Sequence, residues 1–227
     1  MGLFIFNSSI GKKLIMSITG LALVLFITFH CIMNIFVIIS PSDYNKICDF
    51  LGANWYAVVG TMGLAFLVVV HIFYAFWLTL QNYIARGKDR YTISKKPAGV
   101  DWASQNMLVL GIIIVGFLIL HLFNFWYKMQ LQQLMGANIP SGADIVRSLF
   151  QNSHFGSIIC IFYMVWLSAI WFHLTHGIWS AIQTLGGSNH VWLPRIKMIA
   201  NIYSTIVVLM FMCIPLFYLI SNLLGLK

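Results

Sequence analysis

Glutamate is absent from this 227-residue chain, and its five acidic side chains are all aspartates: Asp43, Asp49, Asp89, Asp101 and Asp144. Each falls in a loop or at the end of an apolar run, so this chain alone builds no carboxylate proton relay inside a bilayer. The four cysteines, Cys31, Cys48, Cys160 and Cys213, form no C-x-x-C pair. That spacing excludes a zinc ribbon, a covalent c-type haem and an iron–sulfur cluster held by this chain alone. The cysteines read instead as small buried hydrophobes. A G-x-G-x-x-G turn is also missing, which excludes a dinucleotide fold. Charged residues are 8% of the whole, against roughly 25% in soluble domains. A soluble globule is thereby excluded. The net charge of +8 is better explained by basic loops that orient a membrane protein than by nucleic acid.

What is present is apolar length: 60% of residues are hydrophobic and the mean hydropathy is +0.89. A span needs about 20 such residues. Five runs qualify, Leu14 to Ile39, Trp55 to Leu80, Met107 to Tyr127, Phe155 to Ile182 and Ile196 to Leu224. The predicted fold is an all-α integral membrane protein of five transmembrane helices forming one domain over 1–227. The first run is longer than a signal-peptide core and lacks a small-residue cleavage site, so it reads as an uncleaved span.

Orientation follows from the cations. With the N-terminus inside, nine lie on the inner side: Lys12, Lys13, Arg86, Lys88, Arg90, Lys95, Lys96, Arg195 and Lys197. Four lie outside, Lys46, Lys128, Arg147 and Lys227. This bias predicts a cytoplasmic N-terminus and an external C-terminus. The stretch 86–97 is then the main inner loop. The stretch 130–153 is a longer outer connection, with a short surface helix expected near Asp144 to Phe150. Trp102, Trp126, Trp192 and Tyr127 read as interfacial anchors.

Each of the first four runs carries one deep histidine, His30, His71, His121 and His173. An ionisable side chain inside a membrane is costly and marks function by default. Four in succession are harder to assign to packing than one. Counted from the inner end of each run at 1.5 Å per residue, their depths are about 24, 14, 21 and 14 Å. Two levels result, His30 with His121 toward the outer face and His71 with His173 toward the inner. Alternate helices run in opposite directions, so sequence spacing alone does not impose this match. Two haems, each ligated by a histidine pair, satisfy it, and the first four helices become a haem-binding bundle. His173 shares its face with Ala169, Gly177 and Ser180, a small-sided strip that leaves room for a flat group. His176 competes with His173 for the inner level. It is shallower, at about 9 Å, and points elsewhere around the helix, so His173 is the preferred ligand and His176 a neighbour of a propionate or a quinone. His154 and His190 fall at loop edges and read as solvated.

Haem propionates favour cationic and amide donors near the surface. Arg86, Arg90, Tyr91, Lys95, Lys96 and Gln105 are the inner candidates, and Lys46, Lys128 and Arg147 the outer ones. A quinone needs polar partners in an apolar cleft. Ser17, Gln81, Asn82 and Trp179 could supply them inside, and Asn34, Asn54, Tyr56 and Asn124 outside.

The chain resembles a family on particular residues: Ser9-Ile10-Gly11-Lys12-Lys13 before the first span, the run Ser17-Ile18-Thr19-Gly20, one histidine on each of four successive helices, and His173-x-x-x-Gly177-x-Trp179. These resemble the one-chain, five-helix, two-haem cytochrome b subunit of succinate dehydrogenases and fumarate reductases, and the likeness covers essentially the whole chain. The resemblance implies two haem b groups, the same pairing of histidines, and a quinone, preferably menaquinone. It also implies a flavoprotein with covalent FAD and an iron–sulfur subunit docked on the inner side of a bacterial cytoplasmic membrane. Dicarboxylate chemistry would belong to those partners and the quinone-reactive step to this chain. Some relatives carry a glutamate just before the helix-four histidine, where this chain has Trp171 and Phe172, so a carboxylate-borne proton route is not expected. Other readings are a dihaem cytochrome b of a hydrogenase or formate dehydrogenase, and a haem-free transporter or channel.

Overall fold

Residues 8–86, 101–151, 155–187 and 189–226 are described by the computed structural model, except for the side chain of Arg86. The chain is 87% helix and, among the described residues, has no strand. Helix α1, Ser9–Ile39, starts where the Ser8 side chain accepts from Gly11 N–H at 2.9 Å. Ser40 both ends α1 and caps α2, Pro41–Phe50. Helix α3 spans Trp55–Arg86. A single turn, Trp102–Gln105, precedes α4, Met107–His121. The backbone then continues as a π-helical segment, Leu122–Leu131, and one closing α turn, Gln132–Leu134. Helices α5, Gly142–Phe150, α6, Gly156–Thr184, and α7, Trp192–Leu223, complete the chain.

Five of these are long and apolar enough to cross a membrane: α1, α3, α4 with its continuation, α6 and α7. The structure starts the first span at Ser9 rather than Leu14 because Ser8 caps it. It extends the third to Leu134 through the π segment. Helix α2 was not expected. Its start, Ser40-Pro41-Ser42-Asp43, is an N-cap with proline in the first turn and a carboxylate three residues on. That pattern is a helix-start signal short enough to be overlooked between two apolar runs. The same serine-to-aspartate spacing starts α5, where Ser141 accepts from Asp144 N–H at 3.3 Å.

The packing is a ring. Helix α1 packs on α3 and α6, α4 packs on α6, and α3 touches α4 lightly. The backbones of α1 and α4, and those of α3 and α6, do not approach closely, so these two pairs face each other across the ring. Helix α7 lies outside it, packed mainly on α6 and also on α1. A buried cluster including Val37, Tyr44, Phe150, Tyr163, Trp166 and Tyr218 ties the short helices α2 and α5 over one end of the ring. A second cluster, Leu167, Leu174, Ile178, Ala200 and Val208, joins α6 to α7. None of the apolar stretch of α3 is buried.

Candidate functional site: two histidine pairs

Each histidine pair spans one diagonal of the ring. His30 on α1 and His121 at the end of α4 have ring centroids 5.9 Å apart at 85°. His71 on α3 and His173 on α6 lie 6.4 Å apart at 67°. On α1, Thr19 and Gly20 meet His71 while His30, eleven residues on, meets His121. At 1.5 Å per residue the two pairs are separated by about 16 Å along the bundle.

The inner pair is built from α1 outward. Thr19 Oγ1 already donates to a backbone carbonyl, with Ile15 O at 2.9 Å and Met16 O at 3.1 Å. Its 3.2 Å contact with His71 Nδ1 is therefore one in which Nδ1–H donates and the hydroxyl oxygen accepts. That fixes the tautomer and leaves the Nε2 lone pair free to bind a metal. Gly20 makes the approach possible. A Cβ there would stand 3.3 Å from His71 Cε1, tighter than ordinary contact. His173 Nδ1 is buried with no hydrogen-bond partner. Gly177, one turn further along α6, has open space where a side chain would project.

The outer pair sits in an aromatic cage. Phe26 stacks on His30 at 5.3 Å and Phe211 of α7 lies 5.8 Å away. Trp166 and Phe125 stand 5.5 and 5.1 Å from His121, whose Nδ1 is also buried and unpartnered. Asn34 Nδ2 lies 3.2 Å from His30 Nδ1 and donates to the His30 carbonyl at 2.7 Å. Tyr44 O–H donates to Asn34 Oδ1 at 3.4 Å. As drawn, His30 accepts at Nδ1 and carries its proton on Nε2. Metal ligation through Nε2 requires the Asn34 amide to turn its oxygen to Nδ1–H, and Tyr44 can follow because a phenol both donates and accepts.

Among the described residues, no group of three or more His, Cys, Asp or Glu converges as a metal site. Two facing imidazoles suit a metal that brings its own equatorial ligands. With metal–imidazole bonds of about 2 Å, two axial rings have centroids about 6 Å apart, so both pairs fit an iron of haem type. The ring architecture fits as well, since bundle cofactors are held by side chains on facing helices.

The remaining expected site residues are dispersed. His176 packs edge-on against Trp179 at 4.8 Å with its Nδ1 buried and unpartnered; the ring facing His71 is that of His173. Gln105 is exposed in the turn before α4, which is seated on α6 by Trp102 against Phe172 at 5.0 Å. Arg86 is the last residue of α3, and its side chain lies outside the described residues, as do Arg90, Tyr91, Lys95, Lys96 and His154. Asn54 and Tyr56 are occupied by loop carbonyls, Asn54 Nδ2 donating to Phe50 O at 2.9 Å and Tyr56 O–H to the same oxygen at 2.6 Å. Two inner-side cations were unforeseen as aromatic partners. Lys197 lies 4.2 Å over Trp179 and Lys12 5.5 Å over Trp77, and Lys12 also donates to Gln81 at 2.9 Å. The supporting roles of Thr19, Gly20 and Asn34 were equally unforeseen, although Thr19 and Gly20 stand in a run already notable in the sequence. No protein-family model, curated protein or solved structure matches the chain.

Proposed function

We propose that the chain is a dihaem cytochrome b that carries electrons across the membrane as the anchor subunit of a succinate dehydrogenase or fumarate reductase. The observation that carries this reading is the pair of diagonal histidine contacts at two depths, each at the separation of two axial ligands. Haem b supplies one-electron chemistry there. The chain supplies the axial imidazoles, the Thr19 acceptor that orients one of them, and an apolar surround that raises the weight of every nearby charge.

The basic inner loop and the lack of an own flavin or cluster motif support partners on the cytoplasmic side: a flavoprotein with FAD and an iron–sulfur subunit. The electron acceptor or donor on the membrane side is a quinone, for which menaquinone is the preferred chemistry. The protein would then reside in a bacterial cytoplasmic membrane with its N-terminus inside.

Reduced-minus-oxidised spectra and haem counts per polypeptide test this directly. Wild type is expected to hold two low-spin haems. His30→Ala and His121→Ala should each lose one of them, and His71→Ala and His173→Ala each the other. A purified, folded protein without haem would refute the reading, and loss of different haems within one pair would refute the ligand assignment.

A further inference from the structure

A cleft of about 320 Å³ opens beside the outer histidine pair, between the π-helical segment, α5 and α6. Its walls are Phe117, Phe162, Leu149 and Ile159, and two polar side chains, Asn124 and Tyr163, also line it. Both are buried within the protein. Asn124 Nδ2 donates to the Tyr163 phenol oxygen at 3.0 Å, so the phenol proton is left without an acceptor on the chain. Within a membrane an unpaired donor is costly, because no bulk water is there to take it. The same tyrosine ring is 6.4 Å from His121. Phe117, on another wall, stacks at 5.9 Å on Trp166, which touches His121.

Asn124 is delivered to this place by the unusual backbone. The α-helix gives way to ten π-helical residues immediately after His121. Such helices are rare and concentrate at functional sites. Here the segment carries both the metal-facing end of α4 and the amide of the cleft.

We propose that this cleft is the binding site for the ring of an isoprenoid quinone, which enters from the lipid. This rests on the electron-carrier reading above. The volume lies near the lower end of the roughly 300–1,000 Å³ of small-molecule sites, enough for a headgroup with its tail left in the bilayer. Tyr163 O–H donates to a ring carbonyl, and the Asn124 carbonyl accepts from the hydroxyl of the reduced form. Reduction of the ring takes two electrons, delivered singly by way of the His30/His121 pair, and two protons from the outer aqueous side. Quinol oxidation reverses both flows. An acyl chain of a lipid would fill the walls but leave the phenol proton unpaired.

The test uses the assembled complex with a photoreactive azido-naphthoquinone, read by mass spectrometry, together with haem spectra and quinone turnover. Label is expected on segments 117–124 and 159–163. Ile159→Trp fills the cleft and should abolish both labelling and turnover while two haems remain. Ile158→Trp, on the lipid side, should change neither. Tyr163→Phe removes only the hydroxyl and should raise the KM for quinone by about tenfold, the loss of one hydrogen bond. Should Ile159→Trp fail to fold, Tyr163→Phe decides alone: an unchanged KM overturns the proposal. Label elsewhere, or label and turnover that survive Ile159→Trp, also overturn it. Labelling needs no haem, so a labelled cleft in a haem-free protein would leave the quinone site standing and remove the cytochrome reading. A dihaem protein without label here would do the opposite.

Discussion

Thr19 shows how much a single hydroxyl decides. It returns its own proton to the backbone one turn earlier and accepts from His71, which makes the imidazole a stronger donor through Nε2. Thr19→Val keeps the shape and removes the acceptor. The inner haem's midpoint potential should rise by roughly 60 mV or less, where 59 mV is a tenfold change for one electron, with the outer haem unmoved. Equal shifts in both haems on redox titration would show that Thr19 does not act through His71. His176→Ala is expected to retain both haems, because Trp179 and not the opposing histidine is its ring neighbour. Spectral loss of one low-spin haem in that variant would transfer the ligand role from His173 to His176. On the outer surface, burial pushes the Cys48 thiol up to about 11. The thiolate is the reactive form, so at pH 8 maleimide labelling of Cys48 should be at least about a hundredfold slower than that of a free cysteine, whose pKa is near 8.5. Rapid labelling at that pH would mean that α2 lifts away from the bundle.

At the scale of the element, the outer end of the ring is closed by two short helices that need their caps. Each is under one and a half dozen residues and is marginal alone. Each starts with a serine that accepts from the backbone of an aspartate three positions on. Their apolar faces are pinned by Tyr44 on α2 and by Ile145, Val146 and Phe150 on α5. The two are linked where Ala143 N–H donates to Asn45 Oδ1 at 2.9 Å. Ser141→Ala should cost about 1 kcal/mol and loosen α5 over the cleft. Hydrogen exchange confined to 142–150 would report it, whereas exchange spread over α6 would indicate a wider collapse. The π segment is a second element whose conformation carries consequence. Gln130 within it accepts from Thr61 at 2.9 Å and Trp126 at 2.8 Å and donates to Gly52 O at 2.9 Å. Three separate stretches of chain thus hold the wide helix in place, which explains why Trp126, expected only as an interfacial anchor, also has a hydrogen-bonding task.

For the whole molecule, the decisive feature is that cofactor-binding diagonals and packed edges alternate around the ring. Contacts along the edges give stability, and the diagonals stay wide enough for a flat group between imidazoles. The inner loop 86–97, with five cations, is where attachment of hydrophilic subunits is expected. Replacing Lys95 and Lys96 by glutamine should weaken copurification of flavin and iron–sulfur subunits most at low ionic strength. The difference from wild type should shrink once salt shortens the screening length below about 8 Å. A double variant that binds its partners equally at every salt concentration would confine these lysines to setting orientation during insertion.

The sequence by itself determined the class of molecule, the five spans and the depth of each histidine, because hydrophobic length and helical rise are local quantities readable in one dimension. It also carried the surface helix at 142–150 through its cap and periodicity, and the equivalent cap at Ser40 was there to be read for α2. Tertiary structure alone decided which helices stand diagonally and which adjacently, because that depends on how five apolar surfaces of similar hydropathy share their small and large side chains. It alone set Thr19 under His71, seated Lys197 on Trp179, and separated Asn124 from the other outer amides by leaving only that one facing a cleft. The π-helical register after His121 was equally beyond a sequence pattern, since its hydrogen bonds are held by partners 69 and 78 positions away, and no local preference for that backbone is strong enough to select it.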